Sequence, residues 1–154
     1  MNQYEEICKD MGQRAKVASF ELAQIDQGTL DSALLAIADA VEAQTDEIMA
    51  ANQLDLDKSG DYNVPQTMID RLTLTPSRIS QMAEGVRQVA SIESPVGSVI
   101  ETITRPNGLV IEKRAVPFGV IGIIFEARPN VTIDAGVLCL KTANATILRG
   151  GKEA

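Results

Sequence analysis

Two short segments carry the groups in this chain that can bind or polarise a substrate. The first is Phe125-Glu126-Ala127-Arg128-Pro129-Asn130. Arg128 offers a planar fork of donors suited to phosphate or carboxylate. Asn130, at the start of a predicted helix, can hold a developing oxyanion with its side-chain amide and the backbone N–H groups nearby. Helix capping by Asn130 and a surface ion pair for Arg128 explain the same residues. The second segment is Arg149-Gly150-Gly151-Lys152. Its glycines let the backbone approach a phosphate, and its two cations add complementary charge. It is not a P-loop, because the glycine spacing and a Ser or Thr after the lysine are both missing. A plain strand-to-helix turn explains it equally well.

Other chemistries are closed off. The chain has no histidine, which excludes Ser-His-Asp hydrolysis, Cys-His proteolysis and histidine-based metal sites within it. Cys139 lies in an apolar helical stretch between Leu138 and Leu140 and reads as a buried structural thiol. Cys8 falls on an apolar helical stripe and reads as core. The two cysteines are far apart and form no CxxC, which points to a reducing, cytoplasmic compartment. Asp31, Asp39, Glu42, Asp46 and Glu47 follow one face of a predicted helix and read as solvated surface, not as paired catalytic carboxylates. No metal site is expected.

These groups need elements to position them. Tyr4, Ile7, Cys8, Met11, Ala15, Ala18, Leu22 and Ile25 recur at helical spacing and predict a first helix with one apolar stripe. After a break at Asp26-Gln27-Gly28, Thr29 is expected to cap a second helix burying Leu30, Leu34, Ile37 and Val41 and continuing through Ile48 to about Asn52. The stretch from Asp55 to Pro65, with Gly60, Asp61 and Asn63, predicts an exposed loop. Thr75 as cap and Pro76 at the first helical position open a third helix, with the stripe Ile79, Met82, Val86 and Val89.

Beyond Pro95 and Gly97 the texture changes. Ser98 to Arg105 and Leu109 to Val116 are rich in β-branched residues, and Asn107-Gly108 between them predicts a hairpin. Both arms alternate polar and apolar residues, as in Val99, Glu101, Ile103 and in Val110, Glu112, Arg114, predicting a ribbon with one wet and one dry face. Such a ribbon is marginal alone and is expected to pair with something else. Val120 to Phe125 is a continuous apolar run, expected of a parallel strand buried on both faces. A helix from about Asn130 to Thr142 and a second buried strand at Ala145 to Leu148 complete a β-α-β unit. Both chemical segments then fall beyond carboxyl ends of strands, where open α/β sheets bind ligands. Two parallel strands are too few for an independent doubly wound sheet. The chain is therefore expected to be the N-terminal piece of a longer protein.

Composition bounds the partners. Hydrophobic residues make up 45% and charged residues 23% of the 154, an ordinary globular balance. No apolar run reaches the roughly 18 residues of a transmembrane helix, and the acidic, polar start MNQYEEICKD is no targeting segment. A net charge of −7 and 3% aromatics make nucleic acid a poor partner, for want of cations and stacking platforms.

Read as one stretch, Val116 to Thr132 resembles a known family, as do Leu138-Cys139-Leu140-Lys141-Thr142-Ala143-Asn144-Ala145 and Ile147 to Ala154. Ile69-Asp70-Arg71-Leu72-Thr73-Leu74-Thr75-Pro76 and Ser94-Pro95-Val96-Gly97 carry the resemblance further back. The family is that of the γ-glutamyl phosphate reductases, or glutamate-5-semialdehyde dehydrogenases, in the aldehyde dehydrogenase superfamily. The resemblance spans essentially the whole chain. It implies an α/β, aldehyde-dehydrogenase-like fold: N-terminal helices (1–97) belonging to a cofactor domain, a β-hairpin oligomerisation ribbon (98–116), and the first β-α-β of a parallel Rossmann-like sheet that binds NADP (117–154).

The activity so implied belongs to proline biosynthesis. It is NADPH-dependent reduction of L-glutamyl 5-phosphate to L-glutamate 5-semialdehyde with release of phosphate. A cysteine thiolate attacks the acyl phosphate, phosphate leaves, and hydride from NADPH reduces the thioester. On this resemblance Arg149, Gly150, Gly151 and Lys152 lie beside the adenosine ribose and 2′-phosphate of NADP. Arg128 faces the substrate phosphate, and Asn130 the thioester oxyanion. Ordinary aldehyde dehydrogenases place an Asn before Phe-Pro at this turn, where this chain has Ala127-Arg128-Pro129. The family's catalytic cysteine lies downstream of Ala154 and is not Cys139, so the 154 residues alone are expected to be inactive. The competing readings are a coenzyme A-acylating aldehyde dehydrogenase fragment and a non-catalytic oligomerisation module.

Overall fold

A computed structural model describes residues 2–61 and 64–153. Its elements run α1 (Gln3–Leu22), α2 (Gln27–Ala43), α3 (Thr45–Asp57), α4 (Gln66–Leu72), α5 (Pro76–Ser91), β1 (Val99–Thr104), β2 (Val110–Arg114), β3 (Val120–Ile124), α6 (Val131–Lys141) and β4 (Ala145–Arg149). The core lies where α2, α5 and α6 meet. Leu34, Ala38 and Val41 of α2 pack with Ile79, Met82, Ala83, Val86 and Ala90 of α5 and with Val137 of α6. These positions recur at i, i+3, i+4 and i+7, so each helix buries one stripe.

Helix starts are set by local chemistry. Asn2 and Glu5 form a reciprocal capping box on α1. The cap of α2 is Asp26, whose carboxylate accepts from the Thr29 backbone N–H at 3.0 Å and the Thr29 hydroxyl at 2.7 Å. The cap therefore stands three residues before the expected Thr29, because a carboxylate reaches the free N–H groups and satisfies two donors. Thr75 caps α5 and Pro76 opens it, as expected from the residues.

Several expectations are corrected. The stripe of α1 is covered only in its middle: Met11, Ala15, Ala18 and Leu22 are half-buried, while Tyr4, Ile7 and Ile25 are exposed. Cys8 is exposed, not core. The helix touches the molecule chiefly along β3 and β4, so only a few turns of its stripe find a surface to cover. The second helix does not run on to Asn52. It ends at Ala43 with Gln44 as its cap, beside which the Thr45 hydroxyl donates to the Glu42 carbonyl at 2.8 Å, and α3 begins separately. The expected loop starts at Lys58, not Asp55, and its Asn63 lies outside the described residues. Helix α4, seven residues long, is too short to show a period and was not predicted.

The hairpin forms as expected, antiparallel with Ile103 opposite Ile111 and Thr104 opposite Val110 and with a register shift between Val99 and Glu101, and Gly108 takes φ +84° in its turn. Its faces differ from expectation. Every residue of β1 and β2 is exposed. Residues i and i+2 share a face, so Glu101 sits beside Ile103, and apolar and charged side chains are mixed on both faces.

Strands β3 and β4 pair in parallel, Val120 opposite Ala145 through Ile124 opposite Arg149, joined by α6. This is the expected β-α-β unit. Strand β3 is not buried on both faces: Ile121 and Ile123 are half-buried, while Val120, Gly122 and Ile124 face solvent. No helix among the described residues is long and apolar enough to cross a membrane.

Candidate functional site

The two chemical segments leave the sheet at the same edge. The Phe125 N–H donates to the Arg149 carbonyl at 3.1 Å, so the chain emerging from β3 and the chain emerging from β4 begin side by side. Ala127 then takes φ +45° and is buried. A non-glycine residue in the left-handed region costs about 1 kcal/mol or more, and such strain gathers at functional turns. Its N–H donates to Glu153 Oε1 at 2.7 Å. Glu153 thereby ties the turn after β4 to the turn after β3. Nothing in the sequence pattern singles out this glutamate, since the contact spans two loops.

Beyond Ala127, the turn presents Arg128 and Asn130 to a cavity of about 360 Å³, shared with Asp70, Arg71, Arg78 and Asp134. Asn130 occupies the cap position of α6, and its carbonyl accepts from the Ile133 and Asp134 N–H groups at 3.0 Å each. Its side chain does not cap. Instead Nδ2 donates to Asp134 Oδ2 at 2.8 Å, which orients the amide and leaves its second hydrogen available. Arg128 is exposed and forms no ion pair among the described residues.

The opposite wall was only partly visible in the sequence. Asn52, buried on α3, donates to the Leu72 carbonyl at 2.8 Å and accepts from the Leu74 N–H at 2.7 Å. That pair of hydrogen bonds holds the segment between α4 and α5 in place. Arg78 then clasps it, with Nη2 at 3.0 and 3.1 Å from the two Asp70 carboxylate oxygens and Nη1 at 2.7 Å from the Thr73 carbonyl and also on the Asp70 carbonyl. Arg71 lines the cavity from the last turn of α4.

At the end of β4, Arg149 and Lys152 are exposed, and Arg149 Nη1 donates to the Gly150 carbonyl at 2.5 Å. Gly150 has no side chain to hinder an approaching group, whereas the space a Cβ would take at Gly151 is filled by the Glu153 carboxylate. Two exposed cations on a glycine turn beyond a parallel strand form a donor set suited to the phosphates of a nucleotide. Cys139 is buried on α6, as expected of a structural thiol. Among the described residues there is no cluster of three or more His, Cys, Asp or Glu side chains placed to hold a metal.

No protein-family model matches the chain. Gamma-glutamyl phosphate reductase of Opitutus terrae is 54% identical over 143 residues, 93% of this chain, and that of Salmonella agona is 50% identical over 145 residues, 94% of the chain. The chain's relatives are gamma-glutamyl phosphate reductases. The crystal structure of the gamma-glutamyl phosphate reductase of Thermotoga maritima superposes on 92% of the chain with a TM-score of 0.88 at 36% identity. That of Saccharomyces cerevisiae superposes on 99%, again at 0.88, with 32% identity. The fold is that of the gamma-glutamyl phosphate reductases, an α/β fold of six helices and two small sheets among the described residues. The chain spans about a third of the length of these relatives: 34% and 35% of the two sequences, 34% and 38% of the two structures. Kinship with gamma-glutamyl phosphate reductases does not favour the coenzyme A alternative or the non-catalytic module.

Proposed function

We propose that the chain contributes about one third of a gamma-glutamyl phosphate reductase of proline biosynthesis. That enzyme converts L-glutamyl 5-phosphate, NADPH and a proton into L-glutamate 5-semialdehyde, NADP and inorganic phosphate. The observation that carries the reading is the meeting of Arg128 and Asn130 in one cavity at the carboxyl end of β3, in a chain half identical to such reductases.

In this reading Arg128 binds the phosphoryl group through its guanidinium fork and holds it as it leaves. The free hydrogen of the Asn130 amide faces the oxygen on which charge develops, and Asp134 fixes the orientation of that amide. Arg149, Gly150, Gly151 and Lys152 receive the ribose and 2′-phosphate of NADP, which when bound supplies the hydride. By the family resemblance the nucleophilic cysteine comes from outside these 154 residues, and Cys139, buried on α6, is not it.

The same reading divides the chain into an N-terminal helical part (1–97), an oligomerisation ribbon (98–116) and the opening of the NADP-binding unit (117–154). It makes the protein a cytoplasmic homo-oligomer joined through the ribbon. The exposed apolar side chains of β1 and β2 and two cysteines that form no disulfide support those two points.

A chimera tests it. The corresponding third of the Opitutus terrae relative is replaced by this chain, and reduction of NADP by glutamate semialdehyde is followed with and without phosphate. Phosphate-dependent turnover by the chimera, none by the 154-residue chain, and a loss of roughly 100-fold on Asn130→Ala are expected. A folded chimera that turns over only with coenzyme A, or not at all, overturns the proposal.

A further inference from the structure

We propose that Arg71, in the last turn of α4, is a second anion receptor of the cavity beside β3, and that it takes the carboxylate of the amino-acid substrate whose phosphoryl group faces Arg128. The inference rests on the reading of Arg128 given above and extends it to a residue on a different element.

Three guanidinium groups line the cavity, and they are not equivalent. Arg78 is committed. Its Nη2 lies 3.0 and 3.1 Å from the Asp70 carboxylate oxygens, and its Nη1 serves two backbone carbonyls. With its charge neutralised and both terminal nitrogens engaged, it is a strut for the α4–α5 connection. Arg71 and Arg128 form no ion pair among the described residues. The cavity's remaining carboxylate, Asp134, is held by the Asn130 amide and not by an arginine. Two uncommitted planar cations, one from a helix end and one from the β3–α6 turn, therefore open onto one space of about 360 Å³.

That volume is within the range of small-ligand pockets, roughly 300–1,000 Å³. Two separate forks in it suit a small molecule with an anion at each end, whereas a lone phosphate needs only one. The assignment of ends follows from the neighbours. Arg128 stands two residues from Asn130, next to the amide placed for the reacting oxygen, so the reacting phosphoryl end belongs there. Arg71 belongs to the wall built by α4 and the start of α5, with Arg78 and Asp70, and receives the end that does not react.

A cation in the last turn of α4 also complements the helix dipole, and lysine serves that purpose as well as arginine. The experiment therefore separates fork from charge. The full-length chimera described above, ¹⁵N-labelled over these 154 residues only, is titrated at constant ionic strength with L-glutamate and, separately, with inorganic phosphate. Glutamate is expected to give saturable shifts at the end of α4, and phosphate at residues 127–131. Arg71→Ala weakens glutamate binding roughly tenfold, the loss of one charge-assisted pair, and leaves phosphate binding within twofold. Arg71→Lys loses most of the same affinity although its thermal unfolding matches the parent. Glutamate affinity unchanged in Arg71→Ala, or no saturable shift at α4, overturns the inference. If Arg71→Ala is silent while Arg128→Ala abolishes phosphate binding, Arg71 is excluded and the reading of Arg128 stands. If Arg71→Ala loses glutamate while Arg128→Ala keeps phosphate, the carboxylate receptor stands and the reading of Arg128 falls.

Discussion

Lys141 carries its charge into the core: its side chain is 5% exposed, and its Nζ donates to Asp31 Oδ1 at 2.6 Å and to the Ala90 carbonyl at 2.8 Å. The hydrogen bond from Lys141 holds the Asp31 carboxyl below its usual range, with a smaller contribution from Gln27, against an opposing desolvation effect. Asp31 was expected at a solvated face. What makes it different is a partner 110 residues away on α6, which no local spacing reveals. Removing Asp31 leaves a buried cation with one acceptor. Asp31→Ala is expected to cost about 2 kcal/mol, below the range for fully buried pairs because a third of the Asp31 side chain meets water and Ala90 still accepts. Lys141→Met in the Asp31→Ala background should restore most of that loss, since it removes the stranded charge. The pH dependence has a definite sign. A folded-state pKa lowered beneath the unfolded value near 3.9 stabilises above about pH 4 and is lost as pH falls through the folded value. Urea unfolding of Asp31→Asn should thus show a larger deficit at pH 7 than at pH 3, and equal deficits at both would exclude the linkage.

At the scale of elements, α5 and the hairpin turn were legible because their signals are local. Thr75-Pro76 sets a helix start within two residues, and Asn107-Gly108 supplies the positive φ a tight turn needs. The β-α-β unit was legible from two apolar runs flanking a helical length. Helix α4 was not, and neither was the wall of the site that it builds. Arg128 and Asn130 are near neighbours in sequence, so their partnership could be read from spacing. Arg71 joins them only through tertiary packing, and that packing hangs on Asn52. The amide of Asn52 bridges the Leu72 carbonyl and the Leu74 N–H from inside the fold. Asn52→Ala strands both groups at a cost of about 2 kcal/mol. The loss should be local as well as global. Amide exchange at Leu74 is expected to quicken by more than the fall in global stability accounts for. Exchange at Leu74 that tracks the core amides of α2 and α5 would mean that Asn52 does not hold this segment.

For the whole molecule, the question is what the β1–β2 ribbon does. Two strands alone are marginal in water, yet this pair leaves Ile100, Ile103, Val110 and Ile111 all exposed. Apolar side chains on both faces suit a ribbon gripped by another chain better than one solvated on one side. The opposed pair Ile103 and Ile111 offers a test that keeps the hairpin itself intact. Replacing them together, Ile103→Lys with Ile111→Glu, exchanges an apolar cross-strand pair for an oppositely charged one and preserves a favourable pairing. Because the ribbon packs chiefly on itself, unfolding of the helical core should move by no more than about 0.5 kcal/mol. Sedimentation velocity should instead show association weakened at least tenfold. The open face of β3 is a second apolar surface, with Ile124 79% exposed, and Ile124→Lys serves as the comparison. Association lost in Ile124→Lys but kept in the ribbon variant would move the interface from the hairpin to the sheet.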